Sequence, residues 1–262
     1  MSNEKKYFDE DCERGIRLDY WNRMAEDYND RATEKPDSVK AREDLMKMLL
    51  ERDILRPGFS VLDLGCGPGK FSKMFAEVGI SVVGIDVSPK MLEYAKENTK
   101  GNVGVRFIEA DWGSYDLTGQ EKCFDLVFAH MSPAIYNPFT LKKMMLASKS
   151  WCYFSHFTKR EDPIKEELRK ILGGEQKGYL RVPSVEKILL SLGIVSEKEI
   201  IQSESRRRLT LNKAIENYST DFLEYGDVRK EIETVLGHYA VDGEIEKVVK
   251  TEKVSFLWQI KK

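Results

Sequence analysis

The chain is poor in the residues that build metal and disulfide sites. Its 262 residues include 4 cysteines and 3 histidines. Cys12, Cys66, Cys123 and Cys152 are scattered, with no C-x-x-C pair and no histidine at metal-ligand spacing. That excludes a zinc ribbon or a disulfide-stapled scaffold and predicts reduced thiols in a cytoplasmic protein with no metal. No run of about 18 apolar residues occurs, so no membrane span is expected. The opening "MSNEKKYFDEDCERG" lacks the apolar core of a secretory signal. An excess of one charge is missing too: 42 basic against 44 acidic residues leave a net charge of −2. Proteins that grip long nucleic acid usually show a basic patch and high pI, and this composition advertises neither. Oligomeric state leaves no mark on the sequence.

What is present is a regular alternation of short apolar runs and helical patterns. Residues from about Leu18 to Glu51 read as helical, broken near Pro36 and Asp37, and stopped by Arg56-Pro57-Gly58. "SVLDLG", "SVVGID", "VRFIEAD", "CFDLVFAHM" and "SWCYFSHF" read as strands separated by helices, the helix after "SVVGID" capped by Ser88 with Pro89 as its first residue. This order indicates βαβ units. The fold class expected is α/β: a doubly wound, Rossmann-like, mostly parallel seven-stranded sheet, its last strand antiparallel, with helical cap insertions. Residues 1–262 are read as a single domain. Residues 1–52 form an N-terminal cap segment, and 158–181 and 211–250 are helical insertions expected to form a lid. Within these, "VPSVEKILLSLGI" is read as a helix capped by Ser184. "KEIIQSESRRRLT" is read as a sixth strand, and "KVSFLWQIKK" as the closing strand.

The chemistry sits in "VLDLGCGPGKF", Val61 to Phe71. A triphosphate loop needs G-x-x-x-x-G-K-[ST]; the position five before Gly69 is Leu64, and Phe71 stands where the magnesium-binding hydroxyl belongs. A dinucleotide fingerprint needs G-x-G-x-x-G, and counting from Gly65 the third glycine would be Lys70. The pattern present is Asp63-x-Gly65-x-Gly67-x-Gly69. An acid beside the loop suits an ammonium group and would repel a pyrophosphate.

This stretch resembles the first motif of the class I S-adenosylmethionine-dependent methyltransferases, in their small-molecule branch. The likeness runs from about Tyr20 to Phe157. It implies S-adenosyl-L-methionine as cofactor, with Gly65, Cys66, Gly67 and Gly69 as its cradle and Asp63 toward its amino group. By the same likeness Asp86, ending the second strand, takes the ribose hydroxyls, and Asp111 and Trp112 of "EADW" flank the adenine with Val87 and Met91. Tyr28 of "YWNRMAEDYND" closes over the cofactor, and "FDLVFAHMSP" faces the methyl group. The residues leave rival roles open: Asp86 as a helix cap, Met91 as core.

His130, at the end of the fourth strand, is read as a cofactor-side residue and a possible base, or else as a histidine that shapes the pocket. "MSPAIYNP" is similar to the [DNS]-P-P-[YF] motif of amino-methyltransferases, with Ala134 in place of the second proline and the aromatic late, at Tyr136. His156 is placed in the same pocket and His238 on the surface. Arg206, Arg207 and Arg208 read as solvated charges or an anion pocket, the middle one facing away from its neighbours. Tyr218, Phe222, Tyr225 and Tyr239 read as a hydrophobic lid or as packing. The expected function is methyl transfer to a small-molecule acceptor by in-line displacement. The alternatives are an RNA or protein methyltransferase, or a non-catalytic cofactor-binding protein.

Overall fold

The computed structural model describes residues 10–34, 36–173 and 182–260. Its elements run α1 Glu10–Glu34, α2 Pro36–Glu51, β1 Ser60–Leu64, α3 Lys70–Glu77, β2 Ser81–Asp86, α4 Pro89–Asn98, β3 Val105–Glu109, β4 Phe124–His130 and α5 Pro138–Ala147. They continue with β5 Ser148–Glu161, α6 Pro163–Leu172, α7 Val182–Ser191, β6 Ser196–Thr210, α8 Leu211–Asp221, a 3₁₀ turn Leu223–Tyr225, α9 Arg229–Tyr239, β7 Ala240–Val241 and β8 Glu244–Gln259.

The strands form one sheet in the order β3-β2-β1-β4-β5-β8-β6, with the two-residue β7 paired to β8 off this path. Pairing is parallel from β3 to β5 and antiparallel from β5 through β8 to β6. Strand order therefore reverses between β1 and β4, the point at which open α/β sheets bind ligands beyond the carboxyl ends of their strands. One sheet face packs Phe71, Phe75, Phe128 and Tyr153 against Met46 and Leu49 of α2. The other packs Phe154, Phe256 and Trp258 against α5 and α7. None of the described helices is long and apolar enough to cross a membrane.

Several expected boundaries move. Residues 158–161 extend β5, and the helix of that insertion starts at Pro163, capped by Asp162, whose Oδ1 accepts from Lys165 N at 3.2 Å. Residues 174–181 of the same insertion lie outside the described residues, as does the side chain of Cys12. Ser184 lies inside α7, which begins at Val182. α2 ends at Glu51, before Arg56, through a turn with Asp53 at φ 53°. In the last insertion residues 244–250 are strand. Asp242 and Gly243 both take positive φ, 51° and 75°, which folds β7 back on β8 as a tight hairpin. Charges at Glu244, Glu246 and Lys247 hid the alternation that buries Ile245 and Val249.

Candidate active site

The turn after β1 carries three glycines with positive φ, for two different reasons. A Cβ on Gly65 (φ 64°) would lie 1.9 Å from Ser132 Oγ, and one on Gly69 (φ 71°) 3.0 Å from the Cβ of Ala95. These two let protein pack on protein. A Cβ on Gly67 would meet only Met91 Sδ at 3.9 Å, so Gly67 is where a ligand can approach the backbone closely. The N–H groups of the turn are committed internally. Gly65 and Cys66 donate to Ile85 O at 2.7 and 3.1 Å, Gly67 to Asp86 Oδ2 at 2.8 Å and Gly69 to Cys66 O at 3.0 Å. A phosphate cradle aims such donors at its anion, so this turn is built for a different ligand.

The acids beside the turn are withdrawn from water. Asp63 is 3% exposed and accepts from Ser72 Oγ at 2.7 Å. Burial pushes its carboxyl up to about 7, held back by the Ser72 hydrogen bond. Asp86 accepts from Ser88 N at 2.9 Å and Gly67 N at 2.8 Å. Burial raises its pKa, and those backbone donors resist the rise. Ser88 Oγ takes the helix cap, accepting from Met91 N at 3.1 Å, so Asp86 is not the N-cap of α4. The Cys66 thiol turns to β2, where a Cβ on Gly84 would lie 2.9 Å from its sulfur. Only its backbone borders the cleft.

On the adenine side the expected residues separate. Asp111 orders its own loop, its Oδ1 accepting from Ser114 N at 3.2 Å, and Val87 is half-buried after Asp86. Met91 and Trp112 are each 2% exposed. The Trp112 indole donates to Thr140 O at 3.1 Å, stacks on Tyr115 at 6.1 Å and carries the Lys143 ammonium 4.6 Å above its ring. That packing leaves no ring face for an adenine. Lys143, which the sequence reading passed over, donates to the carbonyls of Trp112 and Tyr115 and clamps the loop.

At the end of β4, His130 lies beside Phe71, ring centroids 4.8 Å apart, with Nδ1 3.2 Å from Ser155 Oγ and 3.4 Å from Tyr153 Oη. Burial, then the charges of Lys253 and Arg42, push its pKa down to about 3. The imidazole is neutral at physiological pH and a weak proton acceptor. Met131 follows at φ 51°, a left-handed conformation held by N–H donation to the Ser155 carbonyl and hydroxyl, both at 3.0 Å. Ser132 Oγ then accepts from Ala134 N at 3.1 Å, closing the "MSPA" turn against Gly65. Tyr136 reaches the loop after β3, where a Cβ on Gly113 would lie 2.1 Å from its hydroxyl. His156 does not join His130. Ser155 shares the face of His130, so alternation sends His156 to the other side, where it is 6% exposed and stacked on Phe154 at 5.1 Å.

Above the carboxyl ends runs α1. Ser88 Oγ donates to Asn22 Oδ1 at 2.7 Å, and Asn98 Nδ2 donates both to Asn29 Oδ1 and to Pro68 O, each at 2.8 Å. Tyr28 stands edge-on to Trp21 at 5.5 Å. The same helix reaches the C-terminal part: Arg207 donates to Asp27 at 2.7 Å and Tyr20 to Asp221 at 3.2 Å. Arg206 stays 62% exposed beside Glu204, so the arginine run splits as alternation predicts. His238 is 67% exposed, 3.7 Å from Glu167. Tyr218 and Phe222 are buried in a separate apolar cluster, with Tyr225 and Tyr239 packed against it. Among the described residues no group of three or more His, Cys, Asp or Glu could hold a metal, and Cys66, Cys123 and Cys152 are free thiols.

The glycine turn after β1, the acid ending β2 and the kinked end of β4 meet at the strand-order reversal of an open α/β sheet, where such folds bind ligands. Residues 61–150 match the family described as "Methyltransferase domain". Over 101 residues it is 37% identical to the ribosomal protein L11 methyltransferase of Burkholderia orbicola and 38% identical to that of Burkholderia ambifaria. Each match covers 38% of this chain and 31% of the relative, so the chain spans about a third of the length of these curated relatives. Magnesium protoporphyrin IX methyltransferase from Synechocystis PCC 6803, solved with bound S-adenosylhomocysteine, shares the fold. Its TM-score is 0.56 at 16% identity, over 92% of this chain and 98% of that one. Phosphoethanolamine N-methyltransferase 2 of Haemonchus contortus matches with TM-score 0.51 at 17% identity, over 90% and 60% of the two chains.

Proposed function

We propose that the protein is an S-adenosylmethionine-dependent methyltransferase acting on a small-molecule acceptor. The observation that carries the reading is the juxtaposition at the strand-order reversal. The turn at Gly65 leaves no Cβ's width before Ser132, so the cofactor cradle and the strand end facing the methyl group form one cleft. The cofactor supplies an electrophilic methyl on a sulfonium. Gly67 offers close backbone approach, Asp86 carries lone pairs for the ribose hydroxyls, Val87 borders the adenine, and Asp63 biases the cleft toward an ammonium group. Tyr28 and α1 close the cleft from above, joined to β6 through Asp27–Arg207 and to α8 through Tyr20–Asp221.

When bound, the cofactor would give up its methyl to the acceptor's lone pair, the carbon–sulfur electron pair returning to sulfur and any proton on the acceptor atom passing to water. The leaving thioether needs no proton. The chain's own contribution is orientation and exclusion of water, and orientation alone is worth on the order of 7–11 kcal/mol. A neutral His130, held by Ser155 and Tyr153, positions the acceptor by hydrogen bonding better than it removes a proton. A small acceptor is favoured because α1 lies over the glycine turn and α4 and is tied to β6 and α8, which narrows access to the carboxyl ends of the strands. The L11 methyltransferases are matched only within the cofactor-binding part, so their protein acceptor is the second reading.

Calorimetric titration with S-adenosylhomocysteine tests the reading first. Saturable binding is expected, and Asp86→Ala should weaken it by about tenfold or more, the loss of hydrogen bonds to a charged group. Folded protein that shows no binding would end the proposal. Mass gain of one methyl in a metabolite pool, against gain in ribosomal protein, separates the two acceptors.

A further inference from the structure

Lys253 is a partly buried cation on the acceptor side of the cleft, with no ion pair among the described residues. Ser155 of β5 pairs with His130 of β4 and with Ser255 of β8, and one step outward Phe157 pairs with Lys253. Paired residues share a face, so His130, Ser155, Ser255, Phe157 and Lys253 form one surface, continued on β6 by the exposed Glu199 beside Ser255 and by Ile201 beside Lys253. The Lys253 ammonium stands 5.7 Å from the Phe157 ring centroid, and the Arg160 guanidinium 5.6 Å from it. Arg42 of α2 adds positive charge on the His130 side.

The other inward-facing lysines of this half are neutralised. Lys165 pairs with Asp221 at 2.6 Å and Lys247 with Asp162 at 3.3 Å. Lys253 has no ion pair among the described residues, and burial alone lowers its pKa. An ammonium held away from water without a partner is costly. It is explained if a ligand brings the missing charge.

We propose that Lys253 binds an anionic group of the methyl acceptor, a carboxylate or a phosphate ester, while the acceptor's apolar body lies on Phe157 against the His130 imidazole. This rests on the methyltransferase reading, because that reading makes the end of β4 the acceptor side. The geometry then orders the parts: anion on Lys253, body on Phe157, and the nucleophilic atom toward His130 and the turn at Ser132.

The test uses the whole protein saturated with S-adenosylhomocysteine and titrated with benzoate, phenyl phosphate and the neutral benzamide. At least one anion should bind about tenfold or more tighter than benzamide, the scale of a charge-assisted contact. Which anion binds tighter tells carboxylate from phosphate. Lys253→Met should abolish the preference and Lys253→Arg should keep it, with unchanged S-adenosylhomocysteine affinity showing that both variants fold. Equal binding of benzamide and the anions, or no probe binding to the loaded protein, overturns the proposal, as does a preference that survives in Lys253→Met. If S-adenosylhomocysteine does not bind but the Lys253-dependent preference persists, the cofactor reading falls and the anion site stands.

Discussion

Between Val61 and His130 the strands are 5 to 7 residues long, and β1, β2 and β4 are almost wholly buried by apolar side chains. Strands β5, β6 and β8 run 14 to 16 residues, and most of β6 is exposed. A strand of 16 residues spans about 50 Å, far beyond its parallel neighbours. The overhanging ends therefore need a core of their own. Helices α6, α8 and α9 supply it around Leu168, Tyr218, Ile232 and Ile245. That core is small, and charge completes it: Asp162 accepts from Tyr218 Oη at 3.0 Å and pairs with Lys247, while Lys165 holds Asp221. The parallel half is fixed by apolar packing. The extension adds a buried ionic network between α6, α8 and β8, in which removing one partner would strand a charge away from water.

The contrast can be broken most sharply at Asp162. Asp162→Ala removes a helix cap, a hydroxyl's acceptor and the partner of Lys247 together, leaving a buried cation unpaired. A loss of about 3–5 kcal/mol is expected in urea unfolding, with S-adenosylhomocysteine affinity little changed. An equal collapse of ligand binding would show that the two regions are not separately held. In the parallel half the matching test is Gly65→Ala. Its left-handed φ alone costs about 1–3 kcal/mol in a residue with a side chain. The contact with Ser132 should carry the damage into the cleft, so that S-adenosylhomocysteine binding falls with stability. Retained binding would sink the claim that this turn and Ser132 form one cleft.

The smallest effect is a pH dependence. The folded His130 titrates near 3 against 6.5 when unfolded, so the unfolded chain binds more protons between those values. Stability from this group is complete above pH 6.5 and is lost as pH falls toward 3, by about 2 kcal/mol at pH 5. Asp63 has the opposite sign: its folded value of about 7 lies above 3.8, so stability falls as pH rises from about 4 to 7. Replacing His130→Gln should remove the first slope and expose the second, making the variant more stable at pH 5 than at pH 7 by urea midpoint. An unchanged profile would show that His130 does not titrate as its burial requires.

Much of the parallel half was legible because its signals are local. Asp63, Gly65, Gly67, Gly69, Ser88-Pro89 and the period of the strands are fixed by neighbours a few residues away. Gly84 went unread because its reason, room for Cys66 and Phe107, is a contact across strands. Trp112 looked like a ligand contact because the sequence does not reveal that Lys143 and Tyr115 occupy its faces. His130 and His156 were grouped because both end strands, whereas their faces depend on register. Residues 244–250 read as helix in the sequence because glutamate and lysine hide an alternation whose inward side is itself partly charged.

The sequence by itself determined the alternation of strands and helices, the turn after β1 and the acid that ends β2. These follow from backbone propensity and spacing within one βαβ unit. Only the tertiary structure decided which charges are neutralised. Lys165, Lys247 and Arg207 found carboxylates on other elements and, among the described residues, Lys253 did not, because ion pairing depends on a few ångströms between segments far apart in the chain.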